Sequence, residues 1–309
     1  MPSRSSLARL LQVACLSQIG MAFAWLVGRW TTSPLQALLG AVAIVAIAPL
    51  ALAAEFAIVW RFSRTDSAPK PTVPQLLRAW VSETGHLFRT FYWRQPFRWR
   101  SEPDYLESAC AGRVGVVLVH GFMCNRGFWN AWMRALRARG HAHVAVNLEP
   151  VYGSIDDYAA AIDDAVARVT RCTGRAPFLL CHSMGGLAAR AWWRQSRGAR
   201  PVEGFVTIGT PHGGTWLARF STRINGRQMR LGSDWLRTLA ADESRHALPP
   251  LTCWYTNCDN VVIPATTAVL AGADKRFVAG QAHVALAFRP EVRQAVLELL
   301  GNDGGLLSR

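Results

Sequence analysis

Apolar positions fall into two regimes along the chain. Up to about residue 60 they run in long blocks almost without charge, and from Arg113 onward they come as short apolar runs between amphipathic stretches. The block Pro34–Trp60 contains Ala41-Val-Ala-Ile-Val-Ala-Ile-Ala-Pro-Leu-Ala-Leu-Ala-Ala, with Glu55 as the only acid. A helix of that length crosses a hydrocarbon layer of ~30 Å, and Pro49 kinks it without forbidding it. The earlier block, Leu10 to Val27, is uncharged but interrupted by Gln12, Ser17 and Gln18, with Trp25 and Trp30 suited to a membrane–water boundary. A cleaved signal peptide competes for this block, yet no short polar region with a small-x-small site follows before the second one begins. The pattern therefore predicts a transmembrane helical hairpin in residues 1–65, with helices at about 10–27 and 35–60 and a turn over Gly28–Ser33.

Residues Asp66 to Pro74 (DSAPKPTVP) read as a proline-rich linker. From Leu76 to Arg100, Trp80, Phe88, Phe91, Tyr92, Trp93, Phe97 and Trp99 interleave with Arg78, Arg89, Arg94, Arg98 and Arg100. Such a composition suits a segment lying in a headgroup layer; a helix packed on the following domain is the alternative. Residues 66–103 are thus expected to link the hairpin to one domain over 104–309. In that domain strands are predicted at Val114–Val119, His143–Leu148, Pro177–Cys181, Gly204–Ile208, Leu251–Tyr255 and Arg276–Val278. Helical patterns occupy Trp129–Arg139, Asp156–Val169 and Leu187–Arg197. Short, continuously apolar strands alternating with helices predict an α/β fold with a mostly parallel sheet flanked by helices. Ligands bind such sheets at the carboxyl ends of the strands. An insertion over 213–250, carrying Trp216, Phe220, Trp235 and Leu236, reads as a cap or as a passive helical excursion.

Charge narrows the choice of partner. The formal net charge is +14, and every basic residue except Lys70 and Lys275 is an arginine, which implies an anionic partner. The spacing carries no zinc-finger or helix-turn-helix pattern, so an anionic phospholipid surface is favoured and no nucleic acid is expected. Arg4 and Arg9 precede the first helix, Arg61, Arg64 and Lys70 follow the second, and the turn holds only Arg29. This asymmetry puts both ends of the hairpin, and the domain after it, on the cytoplasmic side. The seven cysteines are odd in number and include no CxxC pair, which argues against a disulfide framework and a structural zinc site.

The chemistry centres on Phe178-Leu-Leu-Cys-His-Ser-Met-Gly-Gly-Leu, an apolar strand, then Ser183, then two glycines opening a helix. A serine hydroxyl needs a base to become a nucleophile, and a sharp strand-to-helix turn lifts it clear of the sheet where only small neighbours fit. Gly185, followed by Gly186, meets that need on one side; on the other, Cys181 stands where glycine is usual, and because cysteine is small the turn is expected to survive with some strain. The first strand ends in His120-Gly121-Phe122, and the backbone amides of Phe122 and Met184 are the expected oxyanion donors. With a nucleophile of this type the acid and then the histidine follow in the chain. Of the histidines after Ser183, His283 lies just past the last strand, His212 follows the fourth strand where it could line the pocket, and His246 sits in a polar stretch suggesting a surface helix. His182 is expected to pack or hydrogen-bond behind the turn. Among Glu203, Asp234, Asp242, Glu243, Asp259 and Asp274, only Asp259 follows a strand at the reactive edge. Ser183, His283 and Asp259 are therefore the expected triad.

The motifs HGF, CHSMGG, TPHGGT, DNVV and GQAH, in this order between Val114 and Leu300, resemble bacterial triacylglycerol lipases and related esterases of the α/β-hydrolase fold. They look most similar to proteobacterial membrane-bound lipase-like hydrolases. The resemblance implies ester hydrolysis through an acyl-enzyme, no cofactor, an acyl-lipid substrate and a place in the bacterial inner membrane. An acyltransferase or a thioesterase would use the same triad, and a non-catalytic membrane protein with a relic hydrolase domain is the reading from another class. The sequence departs from the family pattern at Cys181, shows no metal site of the calcium kind some secreted lipases carry, and adds the apolar head of residues 1–60.

Overall fold

Serine caps, rather than hydropathy, set the starts of the long apolar helices. In the computed structural model, which describes residues 5–301, Ser5 caps α1 (Ser6–Trp30) and Ser33 caps α2 (Pro34–Phe62). Each serine hydroxyl accepts a backbone N–H of the first turn, which would otherwise be orphaned. At 1.5 Å per residue the helices are roughly 37 and 43 Å long. They fold back on each other as a hairpin, and both are long and apolar enough to cross a membrane by length and composition. Most of their large side chains are exposed, among them Leu10, Leu16, Phe23, Leu35, Leu39 and Ile47. The turn is shorter than the sequence suggests, since Gly28, Arg29 and Trp30 stay helical. Arg9, expected ahead of the first helix, lies in its first turn; Arg4 lies outside the described residues.

Thr72 and Gln75 form a reciprocal capping box that starts α3 (Val73–Leu87) and draws Pro74, expected in the linker, into its first turn. A π-helical stretch, Phe88–Arg94, and the short α4 (Gln95–Phe97) continue it. One face of this segment packs inward through Leu76, Ala79, Glu83 and Thr90, while Val73, Leu77, Val81, Trp93 and Phe97 stay exposed. The segment therefore packs on the domain and still presents an uncovered apolar face.

The rest is a three-layer domain around six parallel strands, β1 (Val116–Val119), β2 (His143–Ala145), β3 (Phe178–His182), β4 (Gly204–Ile208), β5 (Leu251–Tyr255) and β6 (Asp274–Phe277), in the order β2-β1-β3-β4-β5-β6. The flanking helices are α5 (Asn130–Ala138), α6 (Ala159–Thr173), α7 (Met184–Ser196), α8 (Ile224–Gln228), α9 (Asp234–Glu243), α10 (His283–Leu286) and α11 (Pro290–Gly301). Alternation along each strand sorts the core. Val117, Val119, Leu179, Cys181 and Phe205 meet α6 and α7 on one face. Val116, Leu118, Leu180, Val206 and Ile208 meet α5 and α11 on the other. Strand order reverses between β1 and β3, and at such a switch point the carboxyl ends open a crevice. β2 is shorter than predicted because Asn147 and Leu148 turn away to bond Arg126 and His120. β6 starts earlier, at Asp274, which pairs with Arg276 at the amino edge.

Within the insertion, α9 is fixed to α7 by a buried bidentate pair, Arg190–Glu243, with both contacts at 2.7 Å. Arg223, just before α8, lies 4.8 Å over the ring of Tyr152, which packs edge-on against Phe122 at 6.0 Å.

Candidate active site

Ser183 sits between β3 and α7 with φ 54° and ψ −131°, a conformation that L-residues adopt at a cost of about 1–3 kcal/mol and that clusters at functional sites. The sequence predicts a turn that keeps its form with some strain despite Cys181 in place of glycine, and Cys181 is an ordinary strand residue, paired with Val119 and Thr207. Strain is carried by the serine itself, whose N–H donates to Ile208 O at 2.9 Å. Close approach explains Gly185: a Cβ there would lie 2.3 Å from Val119 O. At Gly121 it would lie 2.7 Å from Ser183 Cβ, so the loop after β1 runs against the serine.

That loop and the start of α7 each carry an unspent donor. Among the described residues the N–H groups of Phe122 and Met184 are donated to no carbonyl and no side chain. Met184 opens α7, and the first amides of a helix have no partner inside it. His120, buried, fixes the loop: its Nδ1–H donates to Gly121 O at 2.9 Å and its Nε2 accepts the Leu148 N–H at 3.1 Å. Both contacts require the neutral ring, and burial pushes its pKa down to about 4.

His283 and Asp259 meet at the same rim. Asp259 follows β5 and receives the His283 Nδ1–H at 3.0 Å. Its other oxygen accepts the amides of Val261 at 2.9 Å and Val262 at 2.7 Å. Burial alone would lower the imidazole pKa. The Asp259 charge and hydrogen bond, with Glu83 and Glu55 behind them, together raise it above the ordinary value. Gly209, at the end of β4, packs against the pair, and a Cβ on it would stand 3.1 Å from both Asp259 Oδ2 and His283 Nδ1. The three expected triad residues are thus gathered at the carboxyl ends of β3, β5 and β6, all less than a tenth exposed. The Ser183 hydroxyl makes no hydrogen bond to His283 among the described residues. Catalytic hydrogen bonds are often long without substrate and tighten when it binds.

The other histidines fall elsewhere. His182 stacks on Phe128 at 4.4 Å and places its Nε2 3.2 Å from His283 O. His212, expected at the pocket, is buried with its ring on Thr207 Oγ1 at 3.0 Å and beside Arg190; the fold turns it inward because a buried hydroxyl and guanidinium need partners there. His246 is exposed just past the end of α9 rather than within a helix.

The alpha/beta hydrolase family profile matches residues 116–303. The chain belongs to the alpha/beta hydrolase family. Among solved structures, mature lipase BlEst2 of Bacillus licheniformis superposes on the hydrolase with a TM-score of 0.55 at 16% identity, over 61% of this chain and 92% of that one. Lipase B of Aspergillus fumigatus gives 0.56 at 18% identity, over 66% and 57%. At these identities the likeness is one of fold. No curated protein matches the hydrolase by sequence.

Sequence reasoning missed the groups that hold His283. Asn260 Oδ1 accepts its N–H at 3.2 Å, and Glu83 accepts the next two amides, Val284 at 2.9 Å and Ala285 at 3.0 Å. Glu55 of α2 in turn accepts from Asn260 Nδ2 at 2.7 Å. A signal existed: Glu55, Asp66 and Glu83 are the only acids before Glu102, and a lone acid in an apolar or arginine-rich stretch asks for a partner.

Proposed function

We propose that this hydrolase is a membrane-anchored serine carboxylester hydrolase acting on acyl lipids. The observation that carries the reading is Ser183 at positive φ at the end of β3, beside the hydrogen-bonded His283–Asp259 pair. With Nδ1–H given to Asp259, the imidazole keeps Nε2 as the base. Nε2 takes the Ser183 proton as Oγ attacks the ester carbonyl carbon, and the imidazolium returns that proton to the alcohol as the carbon–oxygen bond breaks. Water, deprotonated by the same nitrogen, then attacks the acyl-serine, releasing the acid and restoring the hydroxyl. The oxyanion formed in each half-reaction would face the amides of Phe122 and Met184, each such donor being worth about 3 kcal/mol.

Acyl lipids are favoured by the lipase fold relatives and by the setting of the site. The α1–α2 hairpin would span the bilayer, with the Phe88–Arg100 stretch in the headgroup layer. Arg61, Arg64 and Lys70 would hold the domain on the cytoplasmic side of a bacterial inner membrane. The insertion over 213–250 would serve as a cap, its Arg223 reaching the oxyanion loop through Tyr152 and Phe122.

Labelling with a membrane-impermeant fluorophosphonate tests both parts. Wild-type protein in inverted vesicles should label, right-side-out vesicles should not, and Ser183→Ala should label in neither. Label persisting on Ser183→Ala would remove the nucleophile; label confined to right-side-out vesicles would reverse the topology.

A further inference from the structure

Each of the three acids that precede Glu102 bonds to the stretch of chain that carries Asp259 and His283. Glu55 of α2 accepts from Asn260 Nδ2 at 2.7 Å. Asp66, past the end of α2, accepts from Thr266 Oγ1 at 2.6 Å and from its N–H at 3.3 Å. Glu83 of α3, only 3% exposed, accepts the amides of Val284 and Ala285 with its two oxygens. Residues 5–100 carry no other acid, so every carboxylate of this segment is spent on that stretch rather than on a charged surface. The partners lie 200 to 205 residues apart in the chain. None of the three acids falls within residues 116–303, the span the family profile matches.

The backbone N–H and carbonyl of His283 and the two amides after it all have partners. Its N–H goes to Asn260, its carbonyl faces His182 Nε2, and the two following amides go to Glu83. Three successive amides at the start of a four-residue helix would otherwise be orphaned in a buried site, where each unmet donor costs about 1–3 kcal/mol. The ring's direction depends on this clamp, because χ1 of His283 is set from the backbone the clamp holds.

We propose that Glu83 and Glu55 are positioning residues for His283, so that the membrane hairpin and the helix after it complete the catalytic machinery of the hydrolase domain. The proposal rests on the triad reading above. Glu83 acts directly, by holding the amides after His283. Glu55 acts at one remove, by fixing the amide of Asn260 so that Oδ1 faces the His283 N–H. Glu83 also adds charge. The groups facing the imidazole are Asp259 from the loop after β5, Glu83 from α3, Glu55 from α2 and the neutral His182 from β3. Burial pushes the Glu83 carboxyl up to about 7 against the pull of its two amide donors, so it ionises within the working range of the base and favours the imidazolium.

Full-length variants in phospholipid nanodiscs test this on a soluble p-nitrophenyl ester, with Ser183→Ala as the control for the triad. Glu83→Gln keeps one acceptor but turns an amide NH2 against the second backbone N–H. Its kcat should fall on the order of 10- to 100-fold with KM nearly constant. The acid limb of its pH profile should move to lower pH, because one carboxylate that favours the imidazolium is gone. Glu55→Gln, which still accepts from Asn260, should retain most of the kcat that Glu55→Leu loses. A Glu83→Gln enzyme with wild-type kcat and an unmoved limb overturns the proposal, and so does one that only melts earlier. Should Glu83→Gln not fold, the Glu55 pair decides: equal kcat in Gln and Leu variants overturns it. Activity surviving in Ser183→Ala is a different failure, that of the triad itself.

Discussion

At the scale of single residues, the acid of the proposed triad is the most sharply defined. Asp259 spends one oxygen on His283 and the other on two backbone amides, so its orientation does not depend on the ring it serves. Asp259→Asn should keep the fold but present an NH2 to one partner and favour the wrong imidazole tautomer. The expected loss in kcat on a soluble ester is about 10³- to 10⁴-fold, read by steady-state kinetics beside an unchanged far-ultraviolet circular dichroism spectrum. A loss under tenfold would contradict the assignment. That Ser183, His283 and Asp259 come to the same edge of the sheet is legible in the sequence, because chain order and strand ends restrict the candidates. Which residue of the turn carries its strain is not. Cys181 differs from the usual residue, yet the backbone stress falls two residues later, since positive φ is a property of the turn and not of the residue that flanks it.

At the scale of elements, strand positions follow the apolar runs closely, and β4 and β5 match residue for residue. Helix ends do not, because side-chain caps decide them: Ser5 and Ser33 for the hairpin and the Thr72–Gln75 pair for α3. Hydropathy averages over turns and cannot register a single hydroxyl. The insertion shows the same limit, since its sequence admits both a cap and a passive excursion. Its last helix, α9, is bound to α7 through Arg190, whose side chain is 1% exposed, and Glu243, 12% exposed. Removing one partner of a buried pair costs about 3–5 kcal/mol. Glu243→Ala should therefore lower the urea midpoint and open the insertion to limited proteolysis. If neither changes, α9 is not the fixed end of the insertion.

At the scale of the whole molecule, buried histidines set the response to acid. Burial lowers the pKa of His86, His120 and His143 to about 4, lowers that of His141, and takes those of His182 and His212 well below the ordinary value. Unfolded, each titrates near 6.5. The unfolded chain thus takes up protons that the folded one refuses, and stability falls as pH drops from about 6.5 towards 4. Glu83 opposes this: raised to about 7 from 4.5, its contribution is full below 4.5 and fades as pH rises through 7. His283, also raised, contributes in that same sense, fully below 6.5. Six lowered histidines outweigh them below pH 6.5, so the urea midpoint should be lower at pH 4.5 than at pH 7. A midpoint that climbs on acidification would contradict the burial of these rings. Domain-level docking is the part least visible in sequence, because Glu55, Asp66 and Glu83 reveal their partners only after the chain has closed on itself.

The 200-residue separation of those partners also bears on the order of assembly. Contacts between segments so distant carry a large loop-closure cost and form late in folding. The hairpin leaves the ribosome long before Asn260, Thr266 and Val284 do. Glu55, and Asp66 and Glu83 soon after it, must then wait, unpaired, until a stretch about 200 residues later is made. Competence to attack esters would arise only when those later loops settle onto the earlier segment that carries the three acids.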